Sequence, residues 1–422
     1  MTTAPQVPDW AADAVWYQIF PDRFRNACPA SNPTAADALS AAFPGWRPRP
    51  WSLEWYAPDD WERPHPFFKT VFRRRYGGDL PGVRRQIPHL LDLGVNAVYL
   101  NPVFASPSLH KYDAACHHHV DPTLGPDRDS DLALLASARE DFRDPATWVW
   151  TAADRCLLDL VADLHAHGVR VILDGVFNHA GATSPAFQSF LRDGPASPFA
   201  DWFTADSRAP DGAPVPRYWD GPDGATLPEF ARTPGPDGTL LPGPRRYLFD
   251  VTRRWMDPDS EQNGAPARGV DGWRLDVAYD VPHGFWREWH ALVRSIRPDA
   301  YTVAELVADP TPFLNPAEFA ASMNYEWLYP ALSFFTPHPD AIPAAEFRRR
   351  VGRLHARHPW PVVLAMQNLL SSHDTARILT CLESAIPPVD RWDPYFVDYE
   401  KLILQVITYL FTICYINFSL AI

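Results

Sequence analysis

Two stretches of the chain run through the same order of elements, and that repetition narrows the fold before any single residue is considered. In GGDLPGVRRQIPHLLDLGVNAVYLNPVF (77–104), Leu80, Val83, Ile87, Leu90 and Leu91 recur at helical spacing. Gly94 stops that helix, and AVYLNPV (97–103) reads as a buried strand. TAADRCLLDLVADLHAHGVRVILDGVFNH (151–179) repeats the order, with Leu157, Leu160, Val161 and Leu164, then Gly168, then VRVILD. Helix, glycine and buried run, given twice, imply a parallel barrel or a doubly wound sheet. Chemistry in such folds gathers where the C-terminal ends of strands meet loops, which is where Asp174, Asn178 and His179 fall.

A third apolar run carries charge inside it. GVDGWRLDVA (269–278) alternates Trp273, Leu275 and Val277 with Arg274 and Asp276. Side chains two apart on a strand share a face, so Arg274 and Asp276 point the same way. A guanidinium beside a carboxylate lowers its pKa, and an ionised carboxylate is what a carboxylate nucleophile requires. A purely structural Arg–Asp pair satisfies the same pattern. LDGVFNH (173–179), VAEL (303–306) and SSHD (371–374) each set an acid, usually with a histidine, at the end of a β-type run. FWREWHALVRSI (285–296) is amphipathic, AYTVAEL (300–306) is a strand ending at Glu305, ASMNYEW (321–327) is expected as the sixth strand, and VVLAMQNLLSSHDT (362–375) as the seventh.

Composition removes some classes of function. The net charge of −13 argues against a nucleic-acid partner, which needs a concentrated basic surface. The 46 prolines imply long, stiffened loops, and the 17 tryptophans and 15 tyrosines are compatible with sugar stacking. Cys28, Cys116, Cys156, Cys381 and Cys414 are odd in number, with no metal or redox spacing, so they read as free thiols. Residues 1–20 show no basic start followed by an apolar block, so the expected location is cytoplasmic. His117, His118 and His119 are consecutive and cannot all face one ion, so no metal ligand is assigned. After Lys401 the chain runs to its end without a charge; a membrane span is the lesser reading, and an altered eighth strand around CYINF the greater.

The four motif regions, in order, resemble the signature regions of the α-amylase family of glycoside hydrolases. DGWRLDVA and LLSSHDT are most similar to the cyclomaltodextrinase, neopullulanase and maltogenic amylase branch. The resemblance implies an α/β fold, a (β/α)8 TIM barrel with an inserted domain B after the third strand and with its last strand and helix altered or missing. Divided accordingly, 1–179 carries strands one to three, 180–243 the insertion, 244–400 strands four to seven, and 401–422 an apolar tail. AVWYQIFPDRF (14–24) matches the first barrel strand. LPEF (227–230) has Glu229 where the branch often has lysine, which leaves substrate preference open. RNACPASNP (25–33) lacks the extra acids of calcium-binding relatives, and no cofactor is required.

The resemblance assigns Asp276 as nucleophile, Glu305 as general acid and then base, and Asp374 as the third acid. Tyr112 becomes a platform under the sugar, with His179 and His373 donating to its hydroxyls and Arg274 supporting the nucleophile. Arg274 is expected to keep Asp276 charged, and apolar neighbours and nearby carboxylates to raise Glu305. The implied activity is retaining hydrolysis of α-1,4 links in maltodextrins or cyclodextrins, with α-1,6 links as a further candidate. An exo-acting α-glucosidase, a transglycosylase, or a truncated sugar-binding barrel without activity fits the same residues. The expected partner is an α-glucan oligosaccharide.

Overall fold

The computed structural model describes residues 6–208, 214–235, 237–259, 268–337 and 341–383, with the backbone of 418–421. The first strands in chain order are β1 (Trp16–Ile19), β2 (Ala97–Leu100), β3 (Phe104–Ala105), β4 (Cys116–Val120), β5 (Arg170–Gly175), β6 (Ala205–Arg208) and β7 (Pro214–Pro216). Then follow β8 (Gly272–Leu275), β9 (Tyr301–Ala304), β10 (Ala321–Ser322), β11 (Asn368–Leu369) and β12 (Phe418–Ala421). Eight of these form one sheet, in the order β10–β9–β8–β5–β2–β1–β12–β11, and every pair is parallel. Its two end strands meet at a parallel bridge between Met323 and Gln367. There the Gln367 N–H donates to Ser322 O at 3.1 Å and the Asn324 N–H to Gln367 O at 2.8 Å, so hydrogen bonding runs full circle.

Closure of a parallel sheet divides its side chains into an inner and an outer set. Trp16, Tyr99, Ile172, Tyr301, Val303 and Met323 belong to one buried cluster, from alternate positions of neighbouring strands. Val98, Leu100, Val171, Leu173, Trp273 and Leu275 point the other way, into the larger core under the helices. The helix Ala152–Ala166 shows how the sequence builds that layer. Thr151 and Asp154 cap it reciprocally, and Leu157, Leu160, Val161 and Leu164 bury its inner face. The helices Pro242–Met256 and His283–Ile296 cover the next two crossovers.

Several expectations are corrected locally. The helix read over 77–94 is two, Leu80–Arg85 and Ile87–Asp92, because Pro88 has no N–H to continue the first. VVLA (362–365) lies in the helix Trp360–Ala365, not in the seventh strand; Pro361 sets its first turn, and the strand is only Asn368–Leu369. The sixth strand stops at Ser322, since Asn324 caps the helix Tyr325–Phe335 by accepting from the Trp327 N–H at 3.2 Å. The eighth strand, expected altered or missing and placed near CYINF, is Phe418–Ala421, paired with both β1 and β11. The rest of the apolar tail lies outside the described residues. Among those described, no helix is long and apolar enough to cross a membrane.

The segment 180–243, between β5 and the helix Pro242–Met256, has structure of its own. It contains the helix Pro185–Asp193, the antiparallel pair β6–β7 and a bridge joining Phe203 to Phe230, and a bridge from Glu229 ties it to His179 just before it. Cys28, Cys116, Cys156 and Cys381 are free thiols, and Cys414 lies outside the described residues.

Gly272 marks the tightest point of the sheet, because a Cβ there would sit 1.8 Å from Tyr301 O. Gly272→Ala should therefore force β8 away from β9 and destabilise the fold by about 2–3 kcal/mol or more. Urea unfolding checks this, and a variant as stable as the parent would contradict the closeness of the two strands.

Candidate active site

Arg274 stands at the centre of the upper end of the barrel, with its guanidinium fully buried. It is the register partner of Asp174 on the adjacent strand, so both side chains enter the interior at one level. Nη1 donates to Asp174 Oδ1 and to Asp276 Oδ1, each at 2.8 Å. Nη2 lies 2.7 Å from Glu305 Oε1, an ion pair without hydrogen-bond alignment. The shared face of Arg274 and Asp276 is thus as expected, and Asp174, placed at a strand end by the sequence but given no role there, is a third member of the cluster. Its carboxylate also accepts from the hydroxyls of Tyr99 and, at 2.8 Å, Tyr112.

Asp276 and Glu305 are held from the backbone as well. The Asp276 N–H donates to Gly175 O at 3.1 Å and the Glu305 N–H to Leu275 O at 3.0 Å, which carries the sheet ladder into both acids. Val277 takes a left-handed turn (φ 38°) and donates its N–H to Glu305 Oε2 at 2.9 Å. That turn ends the strand and brings the Glu305 carboxylate to the residue after Asp276. Among the described residues, Asp276 Oδ2 takes no hydrogen bond from the protein.

A second group closes one wall. The Tyr112 hydroxyl donates to Asp174, so the His373 Nε2–H donates to that hydroxyl at 2.7 Å. His373 Nδ1 then accepts from Gln18 Nε2 at 2.9 Å, and its ring stacks on Tyr112 at 5.5 Å and 8°. Gln18 and Asn101, which fix this arrangement from β1 and just past β2, carried no motif signal. His179 lies beyond, its Nε2 3.2 Å from Tyr112 O and its ring stacked on Trp219. Asp374 lies at the mouth with a side chain 51% exposed. Arg274, Asp276, Glu305, Tyr112 and His373 are therefore tightly linked, with His179 beside Tyr112 and Asp374 beside His373 at the periphery.

The electrostatics differ from the expectation. Arg274 does pull Asp276 down, but burial outweighs it, and with Glu305 and Asp174 alongside, the carboxyl is pushed well above its usual range. Asp174 is raised by burial too. One guanidinium is shared among three acids, so it offsets less of the burial of each than it would in a simple Arg–Asp pair. Asp374 is pushed up to about 6, by desolvation on its cleft side and then by Glu305. Burial lowers His179 to about 4 and His373 well below its ordinary value, so both are neutral donors or acceptors at pH 7.

The segment 180–243 is tied to this site by Arg232. Its Nη2 donates to Asn178 Oδ1 at 2.9 Å, and Nη1 donates to Asp280 O, beyond the β8 turn.

The sequence profile described as the α-amylase catalytic domain matches residues 18–141, 152–224 and 242–409. The chain belongs to the α-amylase family. Among relatives of this α-amylase-family chain, a cyclomaltodextrinase of Geobacillus thermopakistaniensis is 36% identical over 377 residues, covering 89% of the chain and 52% of that protein. Neopullulanase 2 of Thermoactinomyces vulgaris is 36% identical over 373 residues, covering 88% and 52% respectively. The chain spans about half the length of these curated relatives. In three dimensions it resembles the cyclic α-maltosyl-(1→6)-maltose hydrolase of Arthrobacter globiformis, with a TM-score of 0.71, 28% identity, and cover of 100% of this chain and 74% of the other.

Removing the shared cation tests the electrostatic account. Arg274→Met should cost roughly 3–5 kcal/mol at pH 7, since it leaves buried carboxylates uncompensated. Without the guanidinium, Asp174 and Asp276 hold protons in the folded state that the unfolded chain has released. The deficit should therefore shrink as pH falls from 7 to 5. Urea unfolding across that range checks it, and a deficit independent of pH would contradict it.

Proposed function

We propose that the chain is a retaining α-glycosidase that hydrolyses α-1,4 glucosidic links in maltodextrins or cyclodextrins through a covalent glycosyl-enzyme intermediate. The observation that carries this reading is the pair of carboxylates, Asp276 and Glu305, held by neighbouring nitrogens of one buried guanidinium at the mouth of a parallel barrel. Such a closely held pair suits direct attack by one acid rather than attack through an interposed water. Membership of a family whose relatives are cyclomaltodextrinases and neopullulanases supports the substrate class.

Geometry divides the roles. Asp276 is steadied through Oδ1 while Oδ2 is left for a ligand, which suits a nucleophile. Glu305, with one oxygen on the Val277 N–H, is positioned to protonate the departing oxygen and then to deprotonate the water that completes the reaction. In this division Asp276 attacks as the carboxylate beside Arg274. Asp374, at the mouth, accepts from sugar hydroxyls. His179 and His373 are neutral and already engaged, His179 Nε2 on Tyr112 O and His373 between Tyr112 and Gln18, so in place of the donor role expected from the sequence they hold the Tyr112 wall in position. Tyr112 lies beneath as an apolar face.

The wider bond range also has support. Solved structures similar to this chain include a hydrolase of cyclic α-maltosyl-(1→6)-maltose and a debranching enzyme of Nostoc punctiforme, at 28% and 26% identity. We include α-1,6 links in the proposed substrate range on that basis.

Asp276→Asn should reduce turnover of maltoheptaose by on the order of 10⁴-fold or more, with oligosaccharide binding nearly intact. Azide should restore part of the rate as an external nucleophile, and near-parental turnover by this variant would contradict the assignment. Glu305→Gln should be damaging on maltodextrins and mild on aryl glucosides, whose leaving groups need little protonation. Equal defects on both substrates would remove Glu305 from the acid role.

A further inference from the structure

The three histidines of β4 do not behave alike. His117 turns away, its Nε2 2.9 Å from Val176 O, in keeping with the alternation of a strand. His118 and His119 instead bring their rings to 4.6 Å of one another, and Glu140 reaches in from the loop that follows the helix Arg128–Ser137.

His118 is stacked on Trp148 at 4.3 Å and 15°, with Phe142 and Tyr247 edge-on. Its Nδ1 lies 3.0 Å from the Tyr247 hydroxyl, which also accepts from the His117 N–H at 2.9 Å. With Cys116 Sγ also 3.1 Å from it, Nδ1 is fully engaged on that side, and Nε2 is the nitrogen that faces the other two ligand atoms. That nitrogen is buried and has no hydrogen-bond partner among the described residues. Buried polar atoms are ordinarily satisfied, so an orphan aimed at two other ligand atoms points to something that sits between them.

The other two ligands are already oriented. His119 Nδ1 is 2.8 Å from Asp154 Oδ2, the outer carboxylate contact that commonly fixes a metal-binding imidazole. Asp154 is itself fixed by the N–H groups of Val120 and Thr151 and by Arg254. Glu140 Oε1 accepts from the Val149 N–H at 2.6 Å. Glu140 Oε2 lies 3.0 Å from His119 Nε2 and 3.6 Å from His118 Nε2, and all three ligand atoms fall within 4.8 Å of one another. Donors at about 2.0–2.1 Å from a tetrahedral ion lie roughly 3.3–3.4 Å apart, and the two separations from Glu140 Oε2 fall on either side of that value.

We propose that His118 Nε2, His119 Nε2 and the Glu140 carboxylate bind a divalent first-row transition ion, with Zn²⁺ the best match and water in the fourth position. Two imidazoles and one carboxylate in a compact, mostly buried site favour zinc over the oxygen-bound calcium or magnesium. The ion would pin the loop around Glu140 and Val149 to β4. Residues 142–151 fall between the segments that the family profile matches, so this wall of the site belongs to the part of the chain that departs from the family pattern. The sequence assigned no metal ligand because three consecutive histidines cannot all face one ion; two of them, with Glu140, do converge.

The test uses the full chain stripped with EDTA, dialysed, and titrated with Zn²⁺ by calorimetry and with Co²⁺ by visible absorption. The expected result is one Zn²⁺ per chain, a tetrahedral Co²⁺ spectrum without thiolate charge-transfer bands, and a Tm raised by Zn²⁺. His118→Phe keeps the stack on Trp148 while deleting the nitrogens, and Glu140→Gln keeps the side-chain shape. Each should weaken Zn²⁺ binding by roughly 100-fold or more and abolish the Tm response. Absence of stoichiometric Zn²⁺ or Co²⁺ binding to the parent chain would overturn the proposal. So would binding by Glu140→Gln and His118→Phe equal to the parent's, or a Co²⁺ spectrum dominated by cysteine thiolate.

Discussion

The upper half of this barrel depends on one buried positive charge. Arg274 has no access to solvent, and its guanidinium meets Asp174, Asp276 and Glu305 together. Burying such a group is costly unless its partners are exact in place, and the return is orientation rather than stability. The strand ladder supplies that placement. Register sets Asp174 beside Arg274, the Gly175 and Leu275 carbonyls hold the backbone of Asp276 and Glu305, and the Val277 turn couples the last two acids. The charge that aligns the acids is thus itself aligned by hydrogen bonds of the sheet.

From that arrangement follows the electrical state of the cleft. A single cation is shared among three buried carboxylates, so burial and mutual repulsion push Asp276 and Asp174 upward despite Arg274. The tyrosine and histidine wall adds no charge: Tyr112 keeps its hydroxyl proton, and His373 stays neutral through burial. The wall is therefore neutral and internally hydrogen-bonded, which leaves the charge of the site to Arg274 and the acids. Developing positive charge on the sugar meets carboxylates already in position, which is where preorganisation is worth most.

Much of this was legible because it depends on local spacing. Arg274 and Asp276 are two apart, so a strand puts them on one face. Gly94 and Gly168, each following an apolar helical period, mark the crossover unit. What was not legible depends on groups distant in sequence. Asp174 joins the cluster across 100 positions, and Gln18 reaches His373 across 355. The expected lowering of Asp276 failed for the same reason: Arg274 was visible in the motif, whereas burial and the Glu305 and Asp174 charges were not. VVLA reads as a strand by composition, yet the prolines at 359 and 361 start a helix there. Closure at Met323 and Gln367 joins residues of no distinctive pattern. The convergence of His118 and His119 needed the aromatic cage of Trp148, Phe142 and Tyr247, which only the fold assembles.

The central claim is that Asp276 forms a covalent bond to the sugar while Arg274 and Glu305 hold it in place. A fluorinated glucosyl fluoride that is slow to hydrolyse would trap that intermediate, and peptide mapping by mass spectrometry would locate it. The account expects one sugar per chain, attached within the peptide GWRLDVA at Asp276, with release of product in the α configuration. Labelling of Asp174, Asp374 or Glu305 instead, or an inverted product with no trapped sugar, would contradict it.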